Sequence, residues 1–115
     1  MAILHRWDDV PTEQLAPGIR RQYLTAERVT VARFSLSRGA IVPAHAHDNE
    51  QVSYVVSGAV RFLVAGEEIV VRTGEALQIP SWAEHSVTVI EDAEVIDVFS
   101  PVRQDWIDGT DTYFR

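Results

Sequence analysis

The stretch GAIVPAHAHDNEQVSYVVSG, residues 39–58, decides how the rest of the chain is read. It opens on the breakers Gly39 and Pro43, which bend the backbone, and closes on Ser57-Gly58, which reads as a turn. Between them His45 and His47 are separated by one residue. On an extended chain that spacing puts both imidazoles side by side on one face, the geometry needed to share a metal ion. The pair is expected at the start of a strand, with Gln51 beginning the next strand-like run, Gln51 to Val56, in the same parity. Glu50 would point to the opposite face.

Working outward, the apolar pattern has a period of two almost everywhere. Val29 to Leu36 reads as a strand with one or both faces covered. Val60, Phe62 and Val64 alternate, and Ala65-Gly66-Glu67 closes a hairpin. Glu68 to Arg72, Ala76 to Ile79, His85 to Ile90 and Val95 to Phe99 follow, separated by Gly74, Pro80 and a turn at Glu91-Asp92. Short strands this closely spaced predict an all-β antiparallel sandwich or barrel. Only residues 8–16 suggest a helical turn.

The 115 residues suffice for one domain, and 46% AVILMFWYC with six Gly and five Pro is the composition of a chain that buries a core. Ten Lys and Arg against 17 Asp and Glu leave a net charge of −7. That balance argues against nucleic acid or an anionic membrane as a partner, since both need clustered positive charge. With no cysteine, disulfides, thiolate catalysis and zinc fingers are excluded. The opening MAILHRWDDV carries charge too early for a signal peptide, and no apolar run reaches membrane-spanning length, so a cytoplasmic location is expected.

His85 follows the turn Pro80-Ser81-Trp82 and begins the alternating run His85-Val87-Val89. His45 and His47 by themselves also read as solvated turn histidines; the third histidine and the glycine spacing favour ligation. His5 has no partner in sequence and is expected on the surface. Asp97 is out of character in the apolar strand Val95 to Phe99, because burying an ionised carboxylate costs several kcal/mol unless it is paired. Either Val95, Asp97 and Phe99 face inward, or Ile96 and Val98 do. Arg103 lies just beyond, placed to pair with Asp97 or to hold a substrate carboxylate in its two-pronged fork.

These residues resemble the cupins, small β-barrels (double-stranded β-helices, jelly-roll-like) with a metal inside. Gly39, His45, His47, Gln51 and Gly58 fall in register on the first cupin motif, and Gly74, Pro80 and His85 on the second. The departures are Gln51 for the usual Glu, Trp82 for a Gly and Val89 for an Asn. The resemblance implies a single cupin domain over 1–115, with a barrel core at about 28–104, an N-terminal strand or arm at 1–27 and a tail at 105–115. It implies metal ligation by His45, His47, Gln51 and His85. Four neutral ligands leave the charge of a divalent Ni, Fe, Zn, Co or Mn ion uncompensated, which attracts anions.

The segment Val95 to Trp106, the Gln at position 51, the run Tyr54 to Gly58 and the start Trp7-Asp8-Asp9 are similar to small cupins of pectin and alginate degradation, which linearise 4,5-unsaturated monouronates. That likeness implies an enzyme acting on a sugar acid, with Asp97, Phe99 and Arg103 as its functional set. A cupin dioxygenase and a non-catalytic sugar-acid or metal-binding module are the alternatives. A homodimer is expected, because Trp7, Trp106, Tyr113 and Phe114 would leave apolar area exposed on a lone barrel, unless the tail packs on its own barrel.

Overall fold

The computed structural model describes residues 1–111 and arranges them on eight strands: β1 (Glu13–Ala16), β2 (Ile19–Thr25), β3 (Thr30–Leu36), β4 (Ile41–His45), β5 (Glu50–Val64), β6 (Glu67–Arg72), β7 (Ala76–Ile79) and β8 (His85–Ser100). A 3-10 turn at Trp7–Asp9 precedes them and a short helix, α1 (Gln104–Asp108), follows. At 15 and 16 residues β5 and β8 are far longer than the usual strand of about five or six. Their length lets each serve two sets of neighbours. The first part of β5 pairs with β7 and the second with β6. The first part of β8 pairs with β4 and the second with β3, while β5 and β8 pair with each other along their whole length. With β1 and β2 added beyond β3, all eight strands form one antiparallel sheet, the all-β architecture expected from the pattern.

The expected turns at Ser57-Gly58 and Glu91-Asp92 are not chain reversals. They are bends inside β5 and β8, and they lie against each other: Ser57 pairs with Glu94 and Ala59 with Glu91, with the register slipping at each step between Val55 and Val60. The inserted residues change parity in β5, so that Gln51, Ser53 and Val55 face inward before the bulge and Val60 and Phe62 after it. Only glycine fits at the centre of this bend. Gly58 has φ +94, and a Cβ there would run into the carbonyl oxygen of Asp92 and the backbone of Ala93. The hairpin at Ala65-Gly66 forms as expected, with φ positive at both residues (48 and 84), the turn whose twist matches its strands.

Three further expectations change. The histidine pair lies at the end of β4, with His45 its last residue and His47 in the following loop, because the bend comes after the pair. Residues 13–16 form β1, leaving only the 3-10 turn as helix near the N-terminus. The helix α1 was not legible, since its five residues span barely more than one turn and show no periodicity. No helix among the described residues is long and apolar enough to cross a membrane.

The main core joins Ile19, Leu36, Val55, Val60, Phe62, Val71, Ile79, Val89 and Val95. A second cluster of Ala32, Phe99 and Trp106 closes one end, with Tyr23 and Phe34 against it. Trp106 therefore packs on its own barrel; Tyr113 and Phe114 lie outside the described residues.

Candidate functional site

Alternation along β8, broken only at the exposed bend Glu91-Asp92, sends His85, Val87, Val89, Ala93, Val95, Asp97 and Phe99 inward, so of the two placements open for Asp97 the inward one holds. In β5 the same alternation turns Gln51 and Ser53 inward and leaves Glu50 exposed. Pairing of Gln51 with Phe99 and of Ser53 with Asp97 then sets these side chains beside one another. His45 and His85 are cross-strand partners between β4 and β8. The loop after β4 adds His47, tied down by the backbone bond from Trp82 N–H to His47 O (2.8 Å) and by Asn49, whose side-chain amide donates to the carbonyls of Pro101 (2.6 Å) and Val102 (3.1 Å).

The three histidines converge. Their ring centroids are 4.3 to 5.6 Å apart, and one ring nitrogen from each falls within 4.8 Å of the others. Each Nδ1 lies beside a backbone carbonyl: His45 with Pro43 (2.8 Å), His47 with Asn49 (3.1 Å), His85 with Ala83 (2.8 Å). A carbonyl only accepts, so each Nδ1 carries the proton and each Nε2 presents a lone pair, the tautomer of a metal-ligating histidine oriented by its backbone. Burial holds His45 and His47 down at about 4, with the Arg103 charge pushing the same way, and lowers His85 likewise, so the imidazoles are neutral at neutral pH.

Two atoms bear on whether this donor set suits a metal. His85 Nε2 is fully buried without a hydrogen-bond partner. His47 Nε2 lies 3.1 Å from Gln51 Oε1, and neutral His47, its one proton committed to Asn49, sets a lone pair against a lone pair there. Buried acceptors left facing each other are costly, and a cation shared between them removes the conflict. The residues present therefore fit a divalent metal, with His45, His47 and His85 able to hold it and Gln51 Oε1 beside them.

Asp97 is buried a short step away. Burial pushes its carboxyl up to about 6, against the Ser53 hydrogen bond and the Arg103 charge, which act downward. Arg103 does not take Asp97 as its carboxylate partner in a fork. Its Nε and Nη2 hold Asp105 at 2.9 and 2.7 Å, while its guanidinium lies over the rings of Phe99 (4.7 Å) and Trp106 (4.3 Å). Arg21 covers the same Trp106 ring at 4.2 Å. Phe99 touches His47, Arg103 and Trp106, and so supports both the histidines and the cation. His45, Gln51, His85, Asp97, Phe99 and Arg103 all line one cavity.

Sequence reasoning brought seven residues to this place and missed those that position them. Ser53 shares the inward parity of Gln51, a signal that was available. Asn49 and Asp105 carry no such signal, because their partners come from segments brought near only by folding.

The sequence matches the cupin domain family over residues 32–99. It is 33% identical over 103 residues to the pectin degradation protein KdgF of Dickeya dadantii, covering 87% of this chain and 94% of that protein. The fold is similar to the structure of KdgF from Halomonas sp., with a TM-score of 0.85 at 28% identity, covering 92% of this chain and 99% of that one. An RmlC-like cupin from Shewanella frigidimarina gives 0.84 at 28% identity over 92% and 96%.

Proposed function

On the premise that this chain belongs to the cupin domain family, we propose that it is a metal-dependent enzyme that linearises 4,5-unsaturated monouronates from pectin or alginate breakdown. The observation that carries the proposal is the placing of Asp97, buried and with its pKa near 6, in one cavity with the histidine centre. The match to a pectin degradation protein over most of both chains supports the substrate class.

When bound, a divalent ion supplies Lewis acidity to a substrate oxygen. Linearisation is an isomerisation: the ring bond from the anomeric carbon to oxygen opens, the anomeric hydroxyl gives up its proton as that carbon becomes an aldehyde, and in net a proton is added at C4 while the enol oxygen on C5 becomes a ketone. Nothing is oxidised or reduced. Asp97 moves that proton, and a carboxyl titrating near 6 both gives and accepts protons readily at neutral pH. Arg103, held by Asp105 and two aromatic rings, orients the anionic end of the sugar without having to be ordered on binding. Phe99 fixes the cation and packs beside the sugar. The cavity encloses about 50 Å3, space for an ion and a few waters, so the ring enters from the mouth with its reacting edge toward Asp97.

The test is to add the metal-loaded protein to freshly made unsaturated galacturonate and follow the ultraviolet band of the conjugated double bond. Decay faster than the spontaneous reaction, lost in Asp97→Asn, is expected. Decay at the spontaneous rate refutes the proposal. The reading extends to a cytoplasmic homodimer: the outward faces of β5 and β8 leave Val52, Tyr54, Val56 and Val98 exposed, with Val52 paired to Val98, an apolar row that a second copy would cover. Light scattering on the eluting protein checks it, and a monomer mass removes the dimer.

A further inference from the structure

An amide has two ends of nearly the same shape, and only its oxygen end can serve a metal. We propose that Ser53 is the positioning residue that locks the Gln51 amide with its carbonyl oxygen toward the histidines; this rests on the metal reading above.

The lock is directional. Ser53 Oγ accepts a hydrogen bond from Gln51 Nε2 at 2.9 Å. A hydroxyl has one proton, and the acceptor set beside that of Ser53 is the carboxyl of Asp97, its cross-strand partner. The polarity runs one way, from Gln51 N–H to Ser53 oxygen and from Ser53 O–H to Asp97. Turning the amide over would bring two oxygens together at Ser53 unless the hydroxyl withdrew its proton from Asp97. Asp97 Oδ1 already lacks a partner, so the withdrawal would strip the carboxyl of its Ser53 bond as well. The inverted amide would also aim its N–H groups at His47 Nε2 and block the lone pair a metal needs. Ser53 is wholly buried, so water does not stand in for the hydroxyl. A serine that merely filled space would not need this polarity.

The experiment is a double-mutant cycle on the metal-free full chain, titrated with Mn2+ and with Ni2+ alone, the affinity being read by calorimetry and, for Mn2+, from the spin resonance of the free ion. Ser53→Ala and Ser53→Cys are made in the natural sequence and on Gln51→Glu. A carboxylate presents oxygen whichever way it is turned, so the lock matters only for the amide. The expected result is affinity about 10- to 100-fold weaker on loss of the hydroxyl beside Gln51, the range for residues that orient ligands, and little change in the Gln51→Glu background. Unchanged affinity beside Gln51, or equal loss in both backgrounds, overturns the role of Ser53 and leaves the metal reading standing. If the unsubstituted protein takes up neither ion, the metal reading itself falls. Near-ultraviolet circular dichroism confirms that each variant is folded, and the Cys variant, closest to Ser in volume, carries the test if the Ala variant is not.

Discussion

β5 and β8 run through both ends of the molecule, β8 keeping one inward parity and β5 changing its own at the bulge, yet they bury different chemistry at the two ends. On one side of the bend their inward residues are Val60, Phe62, Val87 and Val89, apolar and closely packed, with His85 alone polar at the start of β8. On the other Gln51, Ser53, Asp97 and Phe99 join Val55 and Val95, and His85 reaches the same cavity from the far end of β8. Backbone geometry is the same; the side chains decide. The apolar end gains stability from area removed from water, whereas the polar end gives some up, holding Asp97 where burial opposes its charge and leaving His85 Nε2 without a partner. A site able to hold an ion is assembled from groups the fold alone would exclude, on strands whose other inward residues build the apolar core.

Substitutions at each end should therefore separate activity from stability. The largest effect is expected for His85→Ala, which removes one of three converging nitrogens: decay of the unsaturated uronate should fall to the spontaneous rate, with metal uptake lost in elemental analysis. Asp97→Asn should lower turnover by about 10²- to 10⁴-fold, the usual contribution of a positioned acid–base group, while metal affinity is retained. The same variant should stabilise the metal-free protein. A carboxyl whose pKa rises from 3.8 to about 6 on folding holds its proton more tightly when folded. It opposes folding above pH 6, progressively less as pH falls toward 3.8, and not below that, where both states are protonated. Denaturant titration should show a gain of up to about 3 kcal/mol at neutral pH, from about two pKa units at 1.36 kcal/mol each, vanishing in acid. A gain that persists in acid would show that the shape of Asn, not the charge, is responsible.

At the apolar end Val89→Ala, a core position that does not line the cavity, should cost about 1.5 to 3 kcal/mol of stability, with turnover per folded molecule and metal affinity little changed. If activity falls in proportion, the two ends are one mechanical unit and the comparison fails. The smallest effect is expected at Trp82, an exposed residue held at φ +64. Trp82→Gly should stabilise by up to about 1 kcal/mol, because the left-handed backbone costs a side chain roughly 1–2 kcal/mol and glycine's looser unfolded state returns part of that. A loss of stability instead would mean that the indole makes a contact that outweighs the strain.

Much of this was legible in the chain because strands write their two faces into sequence at period two. The parity of His85, Val87 and Val89 was correct, as was that of Gln51 against Glu50. The reading faltered where a strand bends without ending. Ser57-Gly58 and Glu91-Asp92 have turn composition, and only cross-strand pairing shows them to be bulged bends facing each other. Asp97 illustrates the other limit: one strand cannot say which of its faces is inside when both are apolar, and pairing with Ser53 and Ala32 settles it.

By itself, then, the sequence determined the all-β class, the histidine spacing with its glycine frame, and the absence of cysteine chemistry, because each is a property of local order or composition. The tertiary structure decided what depends on approach between distant segments. It turned three Nε2 lone pairs together by bonding each Nδ1 to a nearby carbonyl, sent the Arg103 fork to Asp105 rather than Asp97, and laid that guanidinium on Phe99 and Trp106. It also sets one cation, Arg103, on the cavity of a chain of net charge −7: net charge sums over a whole surface, whereas the cavity senses only the few groups that folding brings within reach.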